Sequence, residues 1–340
     1  MLSNFGKYAQ QFEARAQAHV GTPRARAVAS CDLGLVLALA ALDLPAGGEA
    51  VVPSFTFNST VNAILWNRLT PVFADIDPQR LTLDPGDVER VVGPRTVVVV
   101  GTHVFGNPCD DEAIRAAAGS RRVPVVYDAA HAFGSRYRGR PVGTLGDLEV
   151  FSFSGTKVTT SAEGGLVTAA TDDLVSRLEY LRAYGFQHDY ESRMVGLNAK
   201  ISELNAALGV LAIEAAEHAV RRRQEVVARY RAALDGIAGL GFQQVDARDR
   251  STHKDFCVLC ERGRAGLERS LEAAGIQTKR YFRPAHAMQA YRRYGTRRLP
   301  RTDDVAARIL CLPIFNEISD AQIDEVAGRV KDHFRSAPAA

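Results

Sequence analysis

Apolar residues in the first half of the chain fall into short β-branched or aromatic runs, separated by stretches with helical spacing. The run Thr96-Val-Val-Val-Val-Gly-Thr-His103 is continuous, as expected of a strand that is buried on both faces. Alternating strands and helices up to about residue 150 predict a mostly parallel α/β sheet covered by helices. The predicted elements are, in order, a short strand and then a buried helix within 25–44, a strand from Glu49 that runs into a helix at about 60–67, strands at 71–77 and 96–103, a helix at 110–118 and a strand at 123–128.

Helical periodicity dominates the next part of the chain, from about residue 171 to 235. It includes one long segment from Ile201 to Leu234. The three consecutive arginines within that segment, Arg221 to Arg223, are predicted to lie on a solvated face.

From about Phe242 the pattern returns to shorter strands and helices. We predict a strand at Phe256–Cys260 and a helix at Ala265–Ala274. The change predicts a large domain over residues 1–235 and a smaller C-terminal α+β domain over residues 236–340.

The composition is that of an ordinary soluble globular protein, with 46% hydrophobic and 24% charged residues in a chain of 340. The net charge of +3 is too balanced to indicate nucleic acid as the main partner. No apolar run approaches the ~20 residues that a membrane span needs. Because the N-terminus also lacks the basic-then-apolar pattern of a signal peptide, we expect a cytoplasmic protein.

The five cysteines are odd in number and scattered, which suits a reducing compartment. Cys257 and Cys260 form a CxxC pair, but they lie in a predicted strand and have no second ligand pair at metal spacing. We therefore predict two core thiols and no metal site.

A single lysine, Lys157, follows a predicted strand that places Phe151 and Phe153 on one face. Small hydroxyl residues surround this lysine and leave room for a bulky group on its amine. Schiff-base chemistry requires such a desolvated, positioned amine with a depressed pKa. A loop lysine that points into water is the alternative, and this stretch taken alone favours it.

Three polar residues, His103, Asp128 and Lys157, fall at or just past a predicted strand end. Ligands of parallel α/β sheets bind at the carboxyl ends of the strands, so these side chains could converge on one site. The turn Ser30-Cys31-Asp32 begins a helix whose free backbone N–H groups can hold a phosphate. A plain helix cap is the other interpretation of Asp32.

Several motifs follow one another at characteristic spacings, namely Asp128-Ala-Ala-His-Ala-Phe-Gly134, Gly146-Asp147, Phe151-Ser-Phe-Ser-Gly-Thr-Lys157 and Glu163-Gly-Gly165. Supporting segments lie at 52–57, 71–77, 104–108, 196–207 and 312–315. Over about residues 25–330 the chain thus resembles the nucleotide-sugar aminotransferases of the DegT/StrS type. These are pyridoxal-phosphate enzymes of fold type I, which implies a large domain with a mostly parallel, seven-stranded sheet.

The resemblance implies that Lys157 holds the cofactor covalently and moves a proton between the substrate carbon and the cofactor. Asp128 would pair with the pyridine nitrogen, because a neighbouring carboxylate favours the protonated ring. A strand-end cap is the plain alternative for Asp128, but it leaves the Asp-Ala-Ala-His pattern unexplained.

Four further positions match cofactor-binding residues of the family. His131 would lie near the phenolic oxygen of the cofactor, and Phe57 would stack on its ring, with a core phenylalanine as the alternative. Ser152 matches a phosphate-binding hydroxyl. Asn198 matches an asparagine that reaches the phosphate from the neighbouring subunit, which implies a homodimer with shared active sites.

The helix start departs from the family pattern, which usually reads Ser-Gly-Thr with the threonine hydroxyl on the phosphate. Here Asp32 replaces the threonine, and its carboxylate would repel a phosphate if it pointed inward. We expect Asp32 to cap its own helix and the backbone N–H groups of Asp32 and Leu33 to hold the phosphate.

The resemblance implies transfer of an amino group from an amino acid, with L-glutamate expected, to a keto group of a nucleotide-linked deoxy sugar. Such amino sugars serve antibiotic or polysaccharide biosynthesis. The basic stretch Lys279–Arg283 suits either a diphosphate or ordinary surface charge. The candidates for substrate contacts, by position only, are His103, Tyr184, Arg280, Tyr281 and His286.

Two other functions stay open on the sequence. The same scaffold supports amination of a keto-cyclitol, and a homologue can bind pyridoxal phosphate in a regulatory role without turnover. The intact set of Lys157, Asp128 and Asn198 speaks against the regulatory role. Binding of nucleic acid through the basic segment from Lys279 to Arg301 conflicts with the balanced net charge.

Overall fold

A computed structural model describes residues 5–119, 123–187 and 189–336 of the chain. The helices are α1 (Lys7–Val20), α2 (Cys31–Ala41), α3 (Asn58–Trp66), α4 (Pro85–Val91), α5 (Asp111–Ala118), α6 (Asp172–Leu181), α7 (Glu203–Leu234), α8 (Arg264–Ala273), α9 (Pro300–Arg308) and α10 (Asp320–Ser336). The strands are β1 (Ala25–Val28), β2 (Glu49–Pro53), β3 (Thr70–Ala74), β4 (Thr96–Thr102), β5 (Val125–Asp128), β6 (Arg136–Tyr137), β7 (Arg140–Pro141), β8 (Leu148–Ser152), β9 (Gly165–Ala169), β10 (Leu240–Phe242), β11 (Phe256–Cys260) and β12 (Ile309–Leu312).

A seven-stranded sheet forms the centre of the larger part, in the order β1-β9-β8-β5-β4-β2-β3. The five strands from β8 to β3 pair in parallel, whereas β9 runs antiparallel to both of its neighbours. The predicted mostly parallel, seven-stranded α/β sheet is therefore confirmed. Asp128 pairs with Thr102 on one side and with Val150 on the other, so the carboxyl ends of β4, β5 and β8 lie next to each other.

The predicted elements are found with shifts of a few residues at their ends. The helix predicted from Thr60 begins two residues earlier, at Asn58. The strand predicted to reach Asp77 ends at Ala74, because the Asp77 carboxylate accepts the backbone N–H groups of Gln79 and Arg80 and closes a turn. The strand Phe256–Cys260 is found as predicted.

A three-stranded antiparallel sheet, β10-β11-β12, forms the second centre of packing. Its core includes Val226, Tyr230 and Leu234, so the C-terminal half of α7 packs on this sheet. The later residues Ala285 and Leu299 pack instead into the core on one face of the large sheet. The proposed division into two domains at residue 235 remains a prediction, but apolar contacts cross it in both directions.

The arginines of α7 do not all lie on a solvated face. Arg223 is only 7% exposed, and its guanidinium donates to the backbone carbonyls of His253 and Lys254. The prediction was wrong for this residue because α7 packs on both sheets, and the segment just before β11 covers this part of its surface.

All five cysteines are buried and unpaired by disulfides. Cys257 and Cys260 lie within β11, which confirms them as core thiols. Within the described ranges, no group of three or more histidine, cysteine and acidic side chains could hold a metal ion. No helix in these ranges is long and apolar enough to span a membrane.

The helices α1 and α7 approach each other closely at Gly209, so we predict that a side chain at this position lowers the stability of the protein. A Cβ atom on Gly209 would lie 2.5 Å from two ring carbons of buried Phe12, so Gly209→Ala should displace the ring and destabilise the protein by about 1–3 kcal/mol. Gly328 of α10 has no atom within 4 Å of the corresponding position, so Gly328→Ala is the matched control. Its better helix propensity should raise stability by about 0.5–1 kcal/mol.

Thermal unfolding followed by circular dichroism would measure both variants. We expect a lower midpoint for Gly209→Ala and an equal or higher midpoint for Gly328→Ala. An equal rise in both variants would contradict the tight contact between the two helices.

Candidate active site

A cavity of about 340 Å³ opens at the carboxyl ends of β4, β5 and β8. Its walls come from the strand ends, from the starts of α2 and α3, and from the segment that precedes α9. The lining residues are Ser30, Cys31, Asp32, Phe57, Ser59, Thr102, Asp128, Ala130, His131, Ser152, Ser154, Lys157, Glu163 and Phe282. Asp128 and Lys157 thus converge on one site, as the sequence predicts.

Asp128 lies at the end of β5 and is 3% exposed. Its Oδ2 accepts a hydrogen bond from the Thr60 hydroxyl at 2.6 Å, and its Oδ1 accepts one from the Ala130 backbone N–H at 3.0 Å. Burial raises the pKa of Asp128, while these two hydrogen bonds and the positive charge of Lys157 favour the ionised form. The carboxylate is therefore fixed in orientation and ready to accept a cationic partner.

Lys157 lies on the turn that follows β8. Its backbone N–H bonds to the Ser154 carbonyl at 3.0 Å, and its amine has no hydrogen bond or ion pair within the part of the chain that the structure describes. Burial lowers the pKa of Lys157, and the nearby charge of Lys254 lowers it further, whereas Asp128 acts in the opposite direction. The side chain lines the cavity and is partly buried, which differs from the alternative of a lysine that points into water.

His131 forms the wall next to Asp128. Its Nδ1 accepts the backbone N–H of Phe105 at 3.2 Å, which leaves the ring proton on Nε2. The imidazole lies nearly parallel to the rings of Phe105 and Phe282, at 6.2 and 6.4 Å between centroids. Burial lowers the pKa of His131 well below its ordinary value, so the side chain is a neutral donor at neutral pH.

The start of α2 differs from the expectation in one respect. Ser30, and not Asp32, is the N-cap, and its hydroxyl accepts the backbone N–H of Leu33 at 3.2 Å. The N–H of Leu33 is therefore already used, which leaves the first-turn N–H groups of Cys31 and Asp32, two residues that line the cavity. The Asp32 side chain is exposed in the first turn, so its carboxylate can remain in water.

Phe57 and Ser152 both line the cavity as predicted. Phe57 is 56% exposed, which removes the alternative of a core phenylalanine. Asn198 does not line the cavity of its own chain, and its exposed Oδ1 accepts a hydrogen bond from the Lys200 amine at 2.5 Å. Its predicted role across a subunit boundary stays a prediction.

None of the five candidates for substrate contacts lines this cavity. The choice of His103 was wrong, because its fully buried ring packs against Tyr127 and contacts the Glu149 carboxylate at 3.4 Å. Arg280 is exposed and pairs with Glu268 at 2.7 Å. Tyr184 is exposed on a loop. The ring of Tyr281 packs against that of Phe282, with 5.2 Å between centroids, and His286 forms a hydrogen bond with the Ser54 hydroxyl at 2.7 Å.

Sequence reasoning missed several residues of the site. Ser154 and Glu163 flank Lys157 in the motif and could have been chosen from that signal. Phe282 and Thr102 have no local signal, since only the folded chain brings them to the cavity. Lys254 was also missed, although it is 6% exposed, forms an ion pair with Asp255 at 3.0 Å and acts on the pKa of Lys157.

The residues present fit pyridoxal phosphate. An unpaired amine, a buried carboxylate held by two donors and a neutral imidazole donor line one end of the site. The hydroxyls of Ser152 and Ser154 and the free N–H groups at the start of α2 line the same cavity and suit a phosphate.

Comparisons with known proteins agree with this geometry. The model of the DegT/DnrJ/EryC1/StrS aminotransferase family matches residues 1–331. The chain is 33% identical to the spore coat polysaccharide biosynthesis protein SpsC of Bacillus subtilis (strain 168), over 98% of this chain and 91% of that protein. It is 30% identical to the GDP-perosamine synthase of Escherichia coli O157:H7, over 98% of this chain and 92% of that protein.

A solved structure is also similar. DesI, crystallised in the presence of its TDP-sugar product, superposes with a TM-score of 0.92 at 37% identity. The match covers 98% of this chain and 86% of DesI.

The hydrogen bond between Thr60 and Asp128 generates the first prediction for this site. Thr60→Val keeps the shape but removes the donor, so the pKa of Asp128 should rise further above its ordinary value. Loss of a hydrogen bond to a buried charged group should weaken cofactor binding roughly 10- to 100-fold. Equilibrium dialysis with pyridoxal phosphate measures this, and Thr60→Ser, which keeps a hydroxyl, is the control. Equal affinity in Thr60→Val and the wild type would contradict the role of this bond.

A second prediction concerns the charge of Lys254. Lys254→Met removes a cation that lowers the pKa of Lys157. It also leaves the Asp255 carboxylate, which raises the pKa of Lys157, without its ion-pair partner. The pKa of Lys157 should therefore move up toward its ordinary value of 10.5. The rate at which cofactor-free protein binds pyridoxal phosphate, measured against pH, should shift to higher pH. Lys279→Met, which removes an exposed lysine, should leave the profile in place, and an unshifted profile for Lys254→Met would refute the coupling.

Proposed function

Because the chain belongs to the DegT/DnrJ/EryC1/StrS aminotransferase family, a family of pyridoxal-phosphate-dependent sugar aminotransferases, we propose that it aminates the keto group of a nucleotide-linked deoxy sugar. We propose L-glutamate as the amino donor. The observation that carries this proposal is the convergence of Lys157, Asp128 and His131 on one cavity.

The nature of the acceptor is inferred from the relatives. One acts as a GDP-perosamine synthase and another was crystallised with a TDP-sugar product, so both names refer to sugars attached to a nucleoside diphosphate. A nucleotide-linked ketosugar is therefore the acceptor class that these relatives favour.

Pyridoxal phosphate, when bound, supplies a carbonyl group that takes up the amino group and an electron-poor ring that stabilises negative charge on the substrate carbon. Lys157 is the residue that would hold the cofactor covalently. Once free, its amine would remove the proton from the substrate carbon, and the lowered pKa keeps a larger fraction of it unprotonated. The mobile proton is then carried by Lys157 Nζ.

Asp128 would keep a proton on the ring nitrogen. Its carboxylate cannot turn away, since Thr60 and Ala130 each hold one of its oxygens. His131 would donate from Nε2 to the phenolic oxygen, because the Phe105 N–H already occupies Nδ1. Asp128, His131 and Lys157 would thus be in position before substrate arrives.

We also propose a homodimer with shared active sites. Asn198 lies outside the cavity of its own chain, as expected of a residue that serves a neighbouring copy. Exposed leucines on the first half of α7 give a second copy apolar surface to pack on, namely Leu204, Leu208 and Leu211.

The absorption spectrum of the purified protein tests the catalytic assignment. We expect a visible band from lysine-bound cofactor that bleaches when L-glutamate is added, and loss of that band in Lys157→Ala. Lys7→Ala, which changes an exposed lysine in α1, should behave as the wild type. Bleaching by glutamate in Lys157→Ala would contradict the role of Lys157.

A panel of nucleotide-linked ketosugars and keto-cyclitols, added after glutamate, then tests the acceptor. Return of the visible band with a nucleotide-linked ketosugar supports the proposal. Return with a keto-cyclitol alone would overturn the acceptor class while leaving the aminotransferase reaction intact.

A further inference from the structure

A second cavity, of about 610 Å³, is formed by the segment that precedes α9. Its lining is Arg283, Met288, Gln289 and Arg292. The two cavities share a single stretch of chain, because Phe282 lines the first and Arg283 lines the second. The two linings therefore come from consecutive positions of one segment, whose Cα atoms are about 3.8 Å apart.

The charge of the second cavity is positive and uncompensated. The guanidinium groups of Arg283 and Arg292 make no hydrogen bond or ion pair with any residue that the structure describes. Among the residues that the structure describes, no acidic side chain is part of the lining. Two arginines that share a cavity without a carboxylate leave their N–H donors available to an anion with several oxygens.

Other arginines in the same region are already paired. Arg280 contacts Glu268 at 2.7 Å, Arg297 contacts Asp87 at 3.0 Å, and Arg301 pairs with Asp84. Arg283 and Arg292 differ from these three arginines because their guanidinium groups have no partner among the described residues, and Arg283 belongs to the basic stretch identified in the sequence.

The backbone that carries these two arginines is fixed to the large sheet. Ala285 donates to the carbonyl of Ser54, just after β2, at 2.9 Å, and Tyr291 donates to the Asn62 side chain of α3 at 2.6 Å. Ala285 and Tyr291 are also buried in the core beside that sheet. The arginines thus extend from a rigid frame, which reduces the entropy lost when they bind a ligand.

We propose that Arg283 and Arg292 bind the diphosphate of a nucleotide-linked substrate, so that its sugar passes Phe282 and reaches Lys157. This inference rests on the proposed function and assigns the part of the protein that holds the nucleotide. A diphosphate carries enough oxygens for both guanidinium groups, and two arginines match its charge. The apolar Met288 and the amide of Gln289 complete the cavity beside the anion.

Isothermal titration calorimetry of the cofactor-loaded protein with TDP, GDP, UDP and inorganic pyrophosphate tests the site. Each charged hydrogen bond should contribute about 10- to 100-fold in affinity, so Arg283→Gln and Arg292→Gln should each weaken nucleoside diphosphate binding by about that factor. The double variant should lose at least 100-fold. Arg298→Gln removes an exposed, unpaired arginine outside the cavity and should bind as the wild type.

Pyrophosphate should bind the wild type more weakly than TDP does. It should also lose affinity in the same variants, which would show that these arginines contact the diphosphate. With a nucleotide-linked ketosugar, KM should rise more than kcat falls. The spectral change with glutamate shows that each variant is folded and loaded. Wild-type affinity in the double variant, or an equal loss in Arg298→Gln, overturns the inference and leaves the proposed function standing. A wild type that binds no nucleoside diphosphate overturns both.

Discussion

The burial of two opposite charges in one cavity is the constraint on which the rest of this structure depends. A carboxylate at the end of a central strand and an amine on the turn after the neighbouring strand both lose hydration, which destabilises their charged forms unless fixed partners compensate. Thr60 and Ala130 compensate Asp128, whereas the Lys157 amine has no partner among the residues that the structure describes. Burial therefore lowers the pKa of Lys157. The parallel sheet is what brings these groups together, since its strand ends meet at one edge.

The C-terminal part of the chain completes a site that the large sheet only begins. Phe282 closes one wall of the cavity, and Lys254 adds a buried positive charge close to Lys157. Arg223 of α7 holds the carbonyl of Lys254 at 2.9 Å and so fixes the backbone there. The electrostatic environment of Lys157 therefore depends on residues that are distant in the sequence.

Much of the fold and the centre of the site could be predicted from the sequence, because both depend on local pattern. Strands and helices follow from periodicity, and Asp128 and Lys157 follow from strand ends and motif spacing. His103 shows where this reasoning fails. It follows Thr102, and neighbouring residues of a strand point to opposite faces, so Thr102 lines the cavity while His103 is buried against Tyr127. Phe282 and Lys254 could not be predicted, because their positions are set by tertiary packing alone.

The helix α7 runs for 32 residues without interruption and packs on both sheets. At about 1.5 Å per residue it is a rod of roughly 48 Å, and such a rod transmits rotation but bends little. The two packing centres are therefore coupled mechanically, and a wide hinge motion between them would have to break apolar contacts on one half of the rod. We expect the cavity that Phe282 lines to keep its width during turnover. An acceptor of unusual size would then be accommodated by rotation of side chains at the rim, and the choice of sugar could change during evolution without any change in the catalytic machinery.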